Sequence, residues 1–298
     1  LLYNCAGDYV LPGLLDAKAG GTYPMIQSTK KNWLLDILML PMAVITFFPF
    51  YLIIVNTVKS QAETAQHPMG LPRVWNFSNY IKVFEETPLL RSFGNSLTIT
   101  VFSVLFMVLF GAMAAYPVVF NSNKMNKIIT TYLLAGFLIP FQTTLIPLFE
   151  LMTGLHLVNK LSGLIVLYMG GAVFVFFLMM GYMKTIPKEL PEAAFIDGCS
   201  VWGIFWRIIL PLLKPITVTS IIYQTMWIWN DFLAPMLFLN SSNKATLVLL
   251  VYKAKGEFSV NWPMFMTLTV IVLIPIFIFF VVMQKQIVKG IVGGAIKG

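Results

Sequence analysis

Six intervals of this chain run free of charge for long enough to cross a bilayer: 37–58, 92–123, 128–149, 161–183, 215–243 (interrupted only by Asp231) and 258–284. A helix needs about 20 apolar residues to span the hydrocarbon core. Only helices and closed barrels satisfy their backbone groups inside lipid. The chain therefore reads as an all-α integral membrane protein with six transmembrane helices. Composition agrees, because only 11% of residues are charged, against about one quarter in a soluble domain. The intervals suggest a cytoplasmic N-terminal arm at 1–33, a six-span domain at 34–284 and a cytoplasmic tail at 285–298. The arm contains LPGLLDAKAGGTYP, shows no clear period, and lacks the basic start and apolar core of a cleavable signal.

The net charge of +8 comes from Lys and Arg dispersed between the apolar runs. That pattern suits anionic lipid headgroups rather than nucleic acid. With both termini inside, the inner segments hold twelve of these cations and the outer ones eight, although the outer loops at 59–91 and 244–257 are long. The bias sets both termini in the cytoplasm. Cys5 and Cys199 form no CxxC pair, and His67 and His156 have no ligand partner at metal spacing, so no metal site is expected. A phosphate loop, an HExxH zinc motif and a GxSxG elbow are all absent, so the chain is not expected to be an enzyme.

Between the fourth and fifth apolar runs lies a loop, 185–207, that opens a block reading EAAFIDGCSVWGIFWRIILP at 192–211. Its local chemistry predicts two short helices joined by a corner. Pro191 suits a first helical position and Glu192 complements the positive helix end. Ala193 and Ala194 favour helix and leave room for another surface. Gly198 is suited to a left-handed helix end, and Ser200 to capping a second helix that carries Val201, Ile204, Phe205 and Ile208 up to Pro211. From this chemistry alone, a docking surface and a plain connection are equally open.

In the fifth run, Tyr223, Trp227, Asn230 and Ala234 fall on one helical face, with Asp231 beside it. An intramembrane carboxylate faces a cavity or a partner rather than lipid. Aromatic faces beside amide and carboxylate groups suit a sugar, though helix packing and capping by Asp231 account for the same residues. Gln142, in the third run, lines the path or bridges helices. The tail carries Gly290, Gly293 and Gly294, which alone would mean a flexible end.

The spacing Glu192-Ala193-Ala194, three residues, Gly198, nine residues, Ile208, one residue, Leu210-Pro211 resembles the EAA loop of ABC-importer permeases. RSFGNSL at 91–97, NFSNYIKVF at 76–84, WNDFLAPM at 229–236 and QKQIVKGIVGGAIKG at 284–298 are similar to the carbohydrate-importing branch. More narrowly, they resemble the smaller of its two permease subunits, the type found in maltose transporters. The resemblance covers about residues 30–298 and implies several things. Glu192, Ala193, Ala194, Asp197, Gly198, Leu210 and Pro211 would form a cytoplasmic coupling helix that docks on a separate ATPase. Gly290, Gly293 and Gly294 would reach that ATPase. The partners would be a homologous permease, two ATPase subunits holding ATP and Mg, and an extracytoplasmic solute-binding protein. This chain would bind no cofactor itself, and it would import an oligosaccharide across a bacterial-type inner membrane by alternating access. A permease for a polyol or glycerophosphate remains open. So does an ion-driven carrier, for which Asp231 is the sole candidate among the six runs.

Overall fold

The computed structural model describes residues 33–121, 123–257 and 261–295, with side chains described for most of these. The expected arm at 1–33 therefore lies almost wholly outside the described residues. The helices are α1 (Trp33–Thr57), α2 (Gln61–Gln66), α3 (Ser78–Glu86), α4 (Leu89–Phe120), α5 (Lys124–Phe137), α6 (Leu145–Gly154), α7 (Leu161–Met169), α8 (Ala172–Met183), α9 (Glu189–Ile196), α10 (Val201–Ile204), α11 (Leu210–Leu212), α12 (Lys214–Asn230), α13 (Leu233–Phe238), α14 (Leu247–Glu257) and α15 (Trp262–Ala295). Among the described residues there is no strand.

Four stretches are long and apolar enough to cross a membrane: Met39–Thr57, Leu89–Phe120, Leu161–Met183 and Trp262–Ile287. Two helix pairs reach the same standard only with a bend, α5 with 141–154 at 91° and 201–212 with α12 at 74°. Counted as single broken spans, they bring the total to six. Each bend has a local cause. Pro140 follows α5 in extended conformation and has no N–H to continue the helix. At the other break Pro215 sits at the start of α12, where its missing donor costs nothing.

Several boundaries differ from the sequence expectation. The fifth run is not one helix through 243, because α12 ends at Asn230 and the chain restarts as α13 after Asp231. The loops expected at 59–91 and 244–257 hold helices α2, α3 and α14. The tail is helical through Ala295, so Gly290, Gly293 and Gly294 lie in the last turns of α15 rather than in a loose end. Continuation of a 34-residue helix past the apolar run offsets the entropy cost that glycines carry.

The core is built on α4. Its buried face includes Ile99, Met107, Ala112 and Ala115, and it packs against Val175, Phe176 and Met179 of α8. Close approach depends on glycine, since a Cβ on Gly111 would sit 2.8 Å from the Val175 side chain. At Gly163 a Cβ would fall 2.1 Å from the Leu157 carbonyl oxygen, which no side-chain movement relieves. Gly163→Ala should therefore destabilise the protein by about 1–3 kcal/mol, the usual cost of overpacking. Gly136, with nothing within 4 Å of a Cβ, should instead gain about 0.5–1 kcal/mol as Ala. Thermal unfolding of the two purified variants checks the opposite signs.

Candidate functional site

Two sites emerge at breaks in the helices. The first is the elbow around Gly198. Helix α9 ends in a closed motif: the Gly198 N–H donates to the Phe195 carbonyl at 3.0 Å and the Cys199 N–H to the Ala194 carbonyl at 3.0 Å. This paired closure requires a left-handed residue at its corner, and Gly198 supplies φ +86°. Ser200 then caps the next helix, its Oγ accepting from the Gly203 N–H at 3.1 Å. Both expectations hold as geometry.

Three details depart from the sequence reading. Pro191 is the third residue of α9, since the helix begins at Glu189. Ala194 is buried, so of the two alanines only Ala193 faces outward. The second helix runs through Pro211 to Leu212, with a wider π turn at Phe205–Ile209 closed by the Leu210 N–H onto the Phe205 carbonyl. The buried positions are Ile204, Phe205 and Ile209, while Val201 is exposed and Ile208 half-buried, the wide turn moving burial from Ile208 to Ile209.

Glu192, Ala193, Asp197 and Gly198 are exposed on the elbow, Leu210 is half-buried and Pro211 exposed. The sequence reading passed over Phe195 and Ile196, which are 64% and 84% exposed. Both stand clear of the rest of the chain on a capped helix. Their signal was available, because a turn that closes on Ala194 leaves the next two residues on the outer side. A groove of about 380 Å³ beside them is lined by Tyr116, Phe120, Lys188, Glu192, Phe195 and Ile196 among others. No metal-holding cluster of His, Cys, Asp and Glu occurs among the described residues.

The second site is at the end of α12. Tyr223, Trp227, Asn230 and Asp231 line one open cavity of about 500 Å³ together with Met226. Ala234 is not part of this face, because the break at Asp231 turns it into the core. Gln142 sits exposed in the short 3₁₀ turn Phe141–Thr144 and is not among the residues lining this cavity. The aromatic faces are held from behind. Tyr223 stacks on Phe174 at 4.9 Å between centroids, and Trp227 meets the ring of Tyr168 edge-on at 5.7 Å. The Tyr168 hydroxyl donates to Asp231 Oδ2 at 2.7 Å, and Asp231 Oδ1 accepts the Leu233 N–H at 2.9 Å. Asp231 thus ties the end of α12 to α7 and opens α13. Gln224, buried on the far side, donates to the Gly171 carbonyl at 3.4 Å. Tyr168 was legible only as a lone hydroxyl in the aliphatic run ahead of Gly170 and Gly171.

A helical bundle of broken spans, with an exposed elbow at one break and a polar aromatic cavity at another, defines a membrane transport permease. The family of binding-protein-dependent transport system inner membrane components matches residues 107–293. A probable starch degradation products transport system permease protein of Thermoanaerobacterium thermosulfurigenes is 37% identical over 90% of this chain and 97% of its own length. A melibiose/raffinose/stachyose import permease of Bacillus subtilis is 32% identical over 91% of this chain and 98% of its own. In fold, the chain superposes with a TM-score of 0.75 on a chain of a bacterial ABC transporter involved in the import of the acidic polysaccharide alginate, at 24% identity over 85% of this chain and 95% of that one. The chain belongs to the binding-protein-dependent transport system inner membrane component family.

The Asp231 junction yields an ordered set of outcomes. Asp231→Asn keeps one acceptor oxygen, for the Leu233 N–H, and presents an amide N–H that donates to the Tyr168 oxygen in place of the lost acceptor, so it should cost least. Tyr168→Phe removes one hydrogen bond and should cost about 1 kcal/mol. Asp231→Ala orphans the Tyr168 hydroxyl and the Leu233 N–H together and should cost most. Thermal unfolding in detergent or lipid reads the order directly.

Proposed function

We propose that this chain is one permease subunit of an ATP-driven importer for an oligosaccharide. It works with a homologous second permease, two ATPase subunits that hold ATP and Mg, and an extracytoplasmic binding protein. The observation that carries the proposal is the elbow: a helix closed on Gly198 that presents Glu192, Phe195, Ile196 and Asp197 outward from an otherwise apolar bundle. The carboxylates of Glu192 and Asp197 are costly in lipid, and beside apolar groups they suit a soluble partner. The proposal puts both termini and the elbow in the cytoplasm and has the end of α15 reach the ATPase through Gly290, Gly293 and Gly294.

The solute class rests on the relatives, named for starch degradation products and for melibiose, raffinose and stachyose, and on the α12 cavity. Tyr223 and Trp227 offer flat faces to sugar rings, and Asn230 offers an amide to hydroxyls. In the cycle, ATP binding draws the ATPases together, the elbow follows, and the spans open outward; hydrolysis restores the inward state. An ion-driven carrier is less well supported, because both oxygens of Asp231 are committed within the protein.

Two measurements follow. Gly198→Val places a β-branched residue at φ +86°, at a local cost of about 1–2 kcal/mol. Beyond the adjoining residues nothing lies within 4 Å of that Cβ, so insertion should survive while capture of the ATPase and ATP-driven uptake fall. Glu192→Ala should be milder, since an exposed ion pair contributes about 0–1 kcal/mol. Full association and transport by Gly198→Val would refute the coupling role. Separately, Trp227→Ala should raise the half-saturating concentration of an oligosaccharide without loss of assembly, and unchanged uptake across concentrations would leave Trp227 a packing residue.

A further inference from the structure

Between α1 and α3 the chain does not simply cross from one helix to the next. After α2 it turns back and runs down the side of α1. Three successive carbonyls are taken up by side chains set progressively earlier on that region: Lys59 Nζ donates to His67 at 2.8 Å, Asn56 Nδ2 to Pro68 at 2.8 Å, and the Tyr51 hydroxyl to Met69 at 2.9 Å. The carbonyls of His67, Pro68 and Met69 are thereby satisfied by a ladder of side chains from α1 and the residues just after it, as backbone beside the end of an apolar span requires.

Most side chains of the descending segment are apolar and point outward, while the Arg73 guanidinium meets the His67 ring at 3.2 Å and the Arg73 N–H donates to Glu63. Met69, Leu71, Trp75 and Phe77 are each more than half exposed, and Ile81 and Phe84 continue the same face one and two turns into α3. Trp75 stacks on Phe77 at 6.4 Å. This exposure is not looseness, because the opposite face is fixed to the body. The Asn79 side chain donates to the carbonyls of Thr57 at 2.8 Å and Lys59 at 2.9 Å, Asn76 N–H donates to the Val58 carbonyl at 2.8 Å, and Val83 is fully buried. The exposed face is also continuous with the outward apolar surface of α1, where Phe50 is 50% and Ile54 is 56% exposed.

We propose that residues 67–84 form a wedge seated in the lipid leaflet where α1 ends, with phospholipid acyl chains and the headgroup boundary as its occupant. The segment descends along a span and its face runs on into the exposed apolar face of α1, which favours lipid over a soluble partner; the second permease is the competing occupant that the test distinguishes. Aromatic rings beside the apolar run fit the interfacial belt of membrane proteins. The wedge gives this end of the bundle a fixed depth and makes transport sensitive to the packing of that leaflet.

The test uses the assembled transporter in phospholipid vesicles. Leu71→p-benzoylphenylalanine, irradiated and analysed by mass spectrometry, should form a phospholipid adduct, as should the same replacement at Ile45 on α1. Ala65 in α2 serves as the water-facing control. An adduct between position 71 and another protein subunit would overturn the proposal, and so would absence of any adduct under conditions where position 45 reacts. Adding Tyr51→Phe leaves the Met69 carbonyl unpaired and should lower the lipid adduct at position 71 about fivefold. An unchanged yield would overturn the role of the ladder.

Discussion

A backbone amide or carbonyl inside a bilayer must find its partner within the protein, and the departures from helix in this chain are organised by that requirement. Where α12 stops, Asp231 accepts the first N–H of the next segment. Where α5 stops, the Pro140 carbonyl takes the Thr143 hydroxyl at 2.7 Å. Where the chain folds back along α1, Lys59, Asn56 and Tyr51 serve three carbonyls in turn. Burial holds the Lys59 ammonium below its ordinary value, with Glu63 opposing the shift. In a soluble protein, water would absorb most of these needs. Here these three breaks carry named side chains, and those side chains help fix where the chain turns.

The breaks are also where the surfaces suited to function lie, and one packed core connects them. Ala194, Ile204, Phe205 and Ile209 of the elbow region belong to the same buried cluster as Val175, Met179, Ala234 and Phe238. Displacement of the elbow therefore meets close-packed side chains rather than loose ones, and interiors at such density transmit strain. The α4 to α8 contact, closed by Gly111 against Val175, lies within that cluster. The cavity at Tyr223, Trp227 and Asn230 opens beside the Asp231 junction, at its far end.

Much of this was legible in the sequence. Charge-free runs gave the spans, because the cost of burying a charge in lipid is large and local. Gly198 and Ser200 gave the elbow, because capping is decided by residues within one turn of the cap. Less legible were features set by residues far apart in the chain. The bend at Pro140 sits inside a charge-free run, and Asp231, the one charge in its run, reads equally as a pathway group and as a helix break. The π turn at Phe205–Ile209 shifts which side chains are buried without altering composition. Tyr168 lies 63 residues from Asp231, and no spacing rule joins them. The helical course of the tail through Gly290, Gly293 and Gly294 runs against local propensity and follows the helix it continues.

The most direct test is reconstitution. The chain is placed in sealed vesicles with its second permease, the ATPase and the binding protein, and accumulation of a labelled oligosaccharide is followed with energy supplied in two ways. Uptake should require ATP on the ATPase side and the binding protein on the other, and should be indifferent to an imposed proton or sodium gradient. Accumulation by this chain without the ATPase, driven by such a gradient, would contradict the assignment of the elbow as the point where energy enters.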